Sequence, residues 1–325
     1  MNVRFGIMGC GFIANDFAAA CKGTPGAELY ACASRSEDKA QAFAQKHDIP
    51  MYYSSYEELS TDPNVDVIYI ATPHSHHYQN ALLALNSGNH VLCEKAFTTD
   101  AAQAKHLITL ARSKNLFLME AMWSRTLPVF EKVKTILAEG VIGDVKLACG
   151  VVSFRADVDP DHRLLNPHLA GGTVLDIGVY ALNFADMFLG TPITIQSVVT
   201  LDHQGVDRQV HMLLQYPNGA IANLQCSILQ TLPYHSHLIG TGGTIEFPSI
   251  TGAQTAIVRP NDGDPFTISC PHPINGFEYQ IAETVRCIQN GLIESDIISH
   301  EYTLRIMRQM DTIRAQCGIR YPFEK

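Results

Sequence analysis

Three polar residues in an otherwise apolar run have the types and spacing for acid–base work. In Leu175-Asp176-Ile177-Gly178-Val179-Tyr180-Ala181-Leu182-Asn183-Phe184, Asp176, Tyr180 and Asn183 fall at i, i+4 and i+7, one stripe of a helix. An unpaired polar group in a core costs about 1–3 kcal/mol, so the stripe must meet partners or a wet cleft. Tyrosine can accept a proton there if a cation stabilises its phenolate, and aspartate can orient a hydroxyl. The cation expected is Lys95, which follows Glu94 at the end of the strand-like run 90–93 and can also bind ribose hydroxyls. Gly178 inside the helix costs about 1 kcal/mol in propensity and signals the close approach of another group. A self-satisfied buried network is the competing account of the stripe, and a solvated strand end that of Lys95.

A second such stretch opens the chain. Residues 3–8 form an apolar run that breaks at Gly9-Cys10-Gly11 and passes into a helical pattern through Phe12, Ile13 and Ala14. Gly9 suits a sharp turn, Gly11 lets backbone approach a ligand, and Ala14 lets the helix pack closely on the strand. The N–H groups at the helix start, around Phe12 and Ile13, then face an anion such as a pyrophosphate. The next strand, 28–34, ends in Ser34-Arg35-Ser36 with no acid for a ribose hydroxyl. A guanidinium flanked by hydroxyls suits a 2′-phosphate, so NADP is the favoured cofactor and NAD the alternative. The competing account of Arg35 is the start of an ordinary solvated helix.

Other candidates stand at strand ends. Thr72 and Pro73 close the run 65–70, and His77 follows on the next helix as a residue lining the cofactor cleft. The histidines of His74-Ser75-His76-His77 cannot all turn to one ion, and no cysteine or carboxylate stands at zinc spacing, so no metal is expected. Trp123, with Arg125, is placed as an aromatic wall and anchor for substrate, packing at a domain seam being the alternative. Arg155, His162 and Arg163 are further candidates for the pocket.

The elements that must hold these residues change rhythm near residue 121. Up to there, strands at 3–8, 28–34, 65–70, 90–93 and 116–120 alternate with helices, which forces parallel pairing and puts ligands at the strand carboxyl ends. Beyond, strand-like runs at 145–154, 193–201, 209–216, 220–228, 235–239 and 244–247 follow one another across short turns, as in antiparallel meanders, and two helical patterns close the chain. The expected fold is α/β: a doubly wound Rossmann domain at 1–121, then an α+β substrate domain at 122–325 with a large, mostly antiparallel open sheet.

At 325 residues and 46% apolar content, the chain can build two substantial cores. Its net charge of −9 argues against nucleic acid and anionic membrane as partners. No signal peptide opens the chain, no apolar run approaches about 18 residues, and nine scattered cysteines suit reduced thiols, so a cytoplasmic location is expected.

Together these residues give a resemblance. The chain is similar, over essentially its whole length, to the glucose–fructose oxidoreductase, inositol dehydrogenase and MocA superfamily of NAD(P)-dependent oxidoreductases. Its marks are Gly9-x-Gly11-x-x-Ala14, Ala71-Thr72-Pro73 with His77, Glu94-Lys95, and Gly171-Gly172-x-x-x-Asp176-x-Gly178-x-Tyr180. Many members have histidine at position 180. Tyrosine there, with Trp123-Ser124-Arg125 and Leu92-Cys93-Glu94-Lys95, looks most like the branch of dimeric dihydrodiol dehydrogenase and NADP-dependent D-xylose dehydrogenase. The resemblance implies Lys95 and Tyr180 as catalytic pair, a small hydroxylated substrate oriented by Asp176, and a homodimer that buries one sheet face. One departure is Ala96, where the family usually has proline, which bears on the placement of Lys95. The reading is a dehydrogenase taking hydride from a secondary alcohol or hemiacetal carbon; the alternative is a dinucleotide-binding regulator without turnover.

Overall fold

A computed structural model of the chain describes residues 2–159 and 161–324. Its first half alternates as the apolar periodicity requires: β1 (Val3–Met8), α1 (Phe12–Gly23), β2 (Ala27–Ala33), α2 (Glu37–Lys46), β3 (Met51–Tyr53), α3 (Tyr56–Thr61), β4 (Val67–Ile70), α4 (His74–Ser87), β5 (His90–Glu94), α5 (Ala101–Lys114) and β6 (Leu118–Ala121). The strands form one parallel sheet in the order β3-β2-β1-β4-β5-β6. Central β4 and edge β6 are buried at every residue, as helices on both faces demand. The strand order reverses between β1 and β4, so the crevice at their carboxyl ends is where such a sheet takes a ligand. Phe17 of α1 stacks on Tyr69 of β4 with ring centroids 3.6 Å apart, clamping helix to sheet below that crevice.

The second half carries α6 (Pro128–Ala138), β7 (Val145–Ser153), a π turn at Val174–Gly178 continuing as α7 (Val179–Leu189), β8 (Thr194–Leu201), β9 (Asp207–Gln215), β10 (Ile221–Ser227), β11 (Ser236–Gly240), β12 (Gly243–Phe247), β13 (Thr255–Pro260), β14 (Phe266–Ser269), α8 (Phe277–Gln289) and α9 (His300–Cys317). Its sheet runs β14-β13-β12-β11-β7-β10-β9-β8, antiparallel except for β7 with β10. Strands β13 and β14 have no clear sequence signal, since β13 runs into Pro260 and β14 is exposed at all but Ile268. One face buries Val210, Met212, Leu214, Ala222 and Leu224. The other leaves Val198 73% and Leu213 48% exposed.

Contacts divide the chain less simply than a cut after residue 121. One compact unit comprises the chain up to Trp123 together with Pro273–Met307, the other Ser124–His272 and the part from Arg308 onward. The return has a physical cause: α8 buries Phe277, Ile281 and Val285 and packs on α1, while the Leu118 N–H donates to the Ile293 carbonyl at 3.0 Å, extending the β6 edge. Pro167–Leu189 is apolar enough to pass for a membrane span by composition, but 83% of its most apolar window is buried inside the structure.

Candidate active site in two halves

The cofactor half is built at the β1–α1 turn. Gly9 adopts φ +102°, where side chains are strained, and a Cβ there would lie 3.0 Å from Thr72 Cγ2 and 3.1 Å from the Ala71 carbonyl. Helix α1 then begins at Gly11 with no side-chain cap and no acid in its first turn, among the described residues. Its leading N–H groups are thus left for an outside anion, the arrangement a pyrophosphate requires, while Phe12 stands 85% exposed beside them and Ile13 is half-buried. The residues present therefore fit a dinucleotide.

Beyond β2, the Ser34 hydroxyl accepts the Ser36 N–H at 3.4 Å, and Arg35 is exposed. Two residues share the surroundings of Arg35: Tyr56, which the sequence does not single out, and His76 of the histidine run. Burial raises the Tyr56 phenol pKa while the Arg35 guanidinium pulls it down, and burial followed by the Arg35 charge lowers that of His76. These residues come from the turn after β2, from α3 and from α4, far apart in sequence, so no local pattern could have joined them.

Thr72 and Pro73 do end β4: Pro73 is the N-cap of α4, and the Thr72 hydroxyl accepts from Asn80 at 2.9 Å. The expectation for His77 needs correction. It is fully buried and its two ring nitrogens face the carbonyl oxygens of Thr72 at 2.7 Å and Ala96 at 2.8 Å, so it braces the loops after β4 and β5 instead of lining the cleft. Burial pushes its pKa down to about 4, the Lys95 charge acting in the same direction, while the Thr72 and Ala96 carbonyls pull it up. Glu94 is likewise internal: it accepts the Tyr69 hydroxyl at 2.6 Å and the Lys95 N–H at 3.2 Å. Lys95 itself is half-buried at the strand end, and the Lys95–Ala96 peptide bond is cis. Trp123 stacks on Phe277, centroids 4.9 Å apart and planes inclined 25°.

The second half is the helix of the polar stripe. Its first turn is π, not α, and Gly178 closes it: a Cβ there would lie 3.3 Å from the Thr173 carbonyl, so the close approach is the helix's own backbone. Asp176 pairs with Arg163 at 3.2 Å, and Tyr180 follows on α7, 8% exposed. Asn183 leaves the stripe for the interior, donating to the Ser124 hydroxyl at 3.2 Å and accepting from Arg125 at 3.1 Å. Arg125 also pairs with Asp186 at 3.2 Å, their side chains 13% and 1% exposed. Its guanidinium therefore anchors α7, which corrects its expected role as a substrate anchor. Arg155 and His162 lie exposed on the loop before the helix. Among the described residues, no group of three His, Cys, Asp or Glu side chains could hold a metal ion.

An uncapped helix start over a parallel sheet is the arrangement of an NAD(P)-dependent oxidoreductase, and the other unit carries Tyr180, Asp176 and Arg163 on or beside one helix. Residues 3–122 match the oxidoreductase family with NAD-binding Rossmann fold, and residues 130–246 match the GFO/IDH/MocA C-terminal domain. The chain belongs to that family. It is 36% identical to the trans-1,2-dihydrobenzene-1,2-diol dehydrogenases of Xenopus tropicalis, over 99% of this chain and 100% of that one, and of Mus musculus, over 100% of both. It is also similar to the 3-ketoreductase KijD10 of Actinomadura kijaniata, solved with NADP and TDP-benzene, at 26% identity and TM-score 0.89 over 98% of each chain. Aldose-aldose oxidoreductase of Caulobacter crescentus shares the fold at TM-score 0.89 and 24% identity, again over 98% of each.

Proposed function

We propose that this protein is an NADP-preferring dehydrogenase acting on a secondary alcohol of a small vicinal diol, with trans-dihydrodiols and cyclic aldoses as the classes to test. The observation that carries it is the whole-length likeness, at 36% identity, to trans-dihydrodiol dehydrogenases in a chain that places Tyr180 and Asp176 on one helix. Tyr180 accepts the hydroxyl proton, and the Lys95 charge stabilises the resulting phenolate. Asp176, held by Arg163, accepts a hydrogen bond from the neighbouring hydroxyl and so fixes which carbon reacts. Bound nicotinamide supplies the hydride acceptor. The backbone of Gly9 to Ile13 takes the pyrophosphate, and Arg35 with Ser34 takes the 2′-phosphate, with Tyr56 and His76 at its flank. The buried His77 and Glu94 hold the loops that carry Thr72 and Lys95.

We extend the reading to a cytoplasmic homodimer. Val198, Leu213 and Ile221 on the open sheet face suit a second copy, and all nine cysteines are free thiols. Absorbance at 340 nm with NADP or NAD and a panel of dihydrodiols, aldoses and inositols tests the activity. Tight NADP binding with no turnover across the panel would replace this reading with the regulator.

A further inference from the structure

The helix that carries Asp176 and Tyr180 begins against a carboxyl group that none of these roles uses. Asp207, the first residue of β9, is fully buried. Its Oδ2 accepts the Val174 N–H at 2.6 Å, and its main-chain carbonyl accepts the Thr173 hydroxyl at 3.0 Å. Gly172 adopts φ +123°, and a Cβ on it would lie 2.1 Å from Asp207 Oδ1, so the carboxyl group fills the space of a side chain at 172. That oxygen has no hydrogen-bond partner among the described residues. The carboxyl thus closes the π turn at its first amide, two residues before Asp176.

We propose that Asp207 is a positioning residue whose ionisable carboxyl sets how firmly this turn is held, and thereby the register in which Asp176 and Tyr180 meet the substrate. The inference rests on the reading of Tyr180 as proton acceptor. A charged acceptor makes a hydrogen bond roughly twice as strong as a neutral one, and negative charge is favoured at a helix N-terminus. Burial pushes the Asp207 carboxyl up to about 7, with its backbone N–H donors and the Arg314 charge on α9 pulling the other way. The other titratable groups acting with it are Cys226 on β10, which burial raises to about 12, and Tyr321 beyond α9, also raised by burial; both are neutral near pH 7. The signs then diverge. A carboxyl raised by folding stabilises the fold most at low pH and loses that contribution as pH climbs through about 7, whereas the hold on Val174 strengthens over the same climb.

The test compares Asp207→Ala and Asp207→Asn in the full-length protein with a substrate from the panel, following kcat, KM, NADP affinity and melting temperature from about pH 5.5 to 8.5. Asp207→Ala should lower kcat by about 10- to 100-fold with NADP affinity within about twofold. Asparagine still accepts the Val174 N–H and should restore most of that rate at acidic pH. The wild-type to Asn ratio of kcat should then rise about threefold as pH passes through 7, while relative stability moves oppositely. Wild-type kcat in Asp207→Ala, no rescue by asparagine, or a pH-independent ratio overturns the proposal; if the alanine variant does not fold, the ratio decides alone. Hydrogen exchange of residues 173–180 separates the two readings. Faster exchange in Asp207→Ala beside full turnover in Tyr180→Phe would sink the proton-acceptor role and leave the hold on the turn standing.

Discussion

Two helix starts in this protein have opposite fates. Helix α1 opens on Gly11 with no capping side chain and no acid in its first turn, beside a phenylalanine left 85% exposed. The π turn leading into α7 opens on a buried amide already bonded by Asp207. Both starts carry the same partial positive charge. Where the anion is to come from outside, the chain supplies backbone and space; where side chains must be held still, it supplies its own carboxylate. Substitutions at the first should therefore change ligand affinity with little effect on the fold. At the second they should change rate or stability with little effect on cofactor.

The sharpest break of that contrast comes from Tyr180→Phe, expected to cut kcat by about 10² to 10⁴-fold while NADP affinity holds. Turnover within a few fold of wild type would remove Tyr180 from the chemistry. Arg125→Ala should cost about 3–5 kcal/mol in chemical denaturation, because it strips the guanidinium from the buried Asp186 carboxylate. A loss below about 1 kcal/mol would show that α7 is held by other groups. Arg35→Ala should weaken NADP by about 10- to 150-fold in titration calorimetry and leave NAD where it was. Equal weakening of both would refute the 2′-phosphate role. The smallest effect converts one start into the other: Gly11→Asp fits its φ of −91° and has no neighbour nearer than 3.9 Å. It should weaken both cofactors about tenfold while stability rises by no more than about 0.5 kcal/mol, and unchanged affinities would mean the α1 start does not hold the pyrophosphate.

Much of this was legible in the sequence, because it is local. A glycine turn after an apolar strand, a missing acid after β2 and the run of alternating elements are set within a few residues, by φ preference and by periodicity. They suffice for the parallel sheet, the anion-binding start and the largely antiparallel second sheet. The helix of Asp176 and Tyr180 was equally visible, as polar residues that an apolar run must explain.

What the sequence could not decide was which way polar side chains turn. His77, Arg125 and Asn183 have the types expected in a cleft, yet each spends its hydrogen bonds inside a unit, and only long-range packing settles that. The π turn is invisible to a 3.6-residue period, since the run is apolar and buried on nearly every side and so carries no register for an extra residue to shift. Asp207 lies far along the chain from the turn it closes, and Pro273–Met307 folds back onto the first unit, so neither has a local signature. Short-range stereochemistry determined the elements and the glycine cradle; the burial of charges and amides against distant partners was left to the tertiary structure, because desolvation exists only once the chain has closed around them.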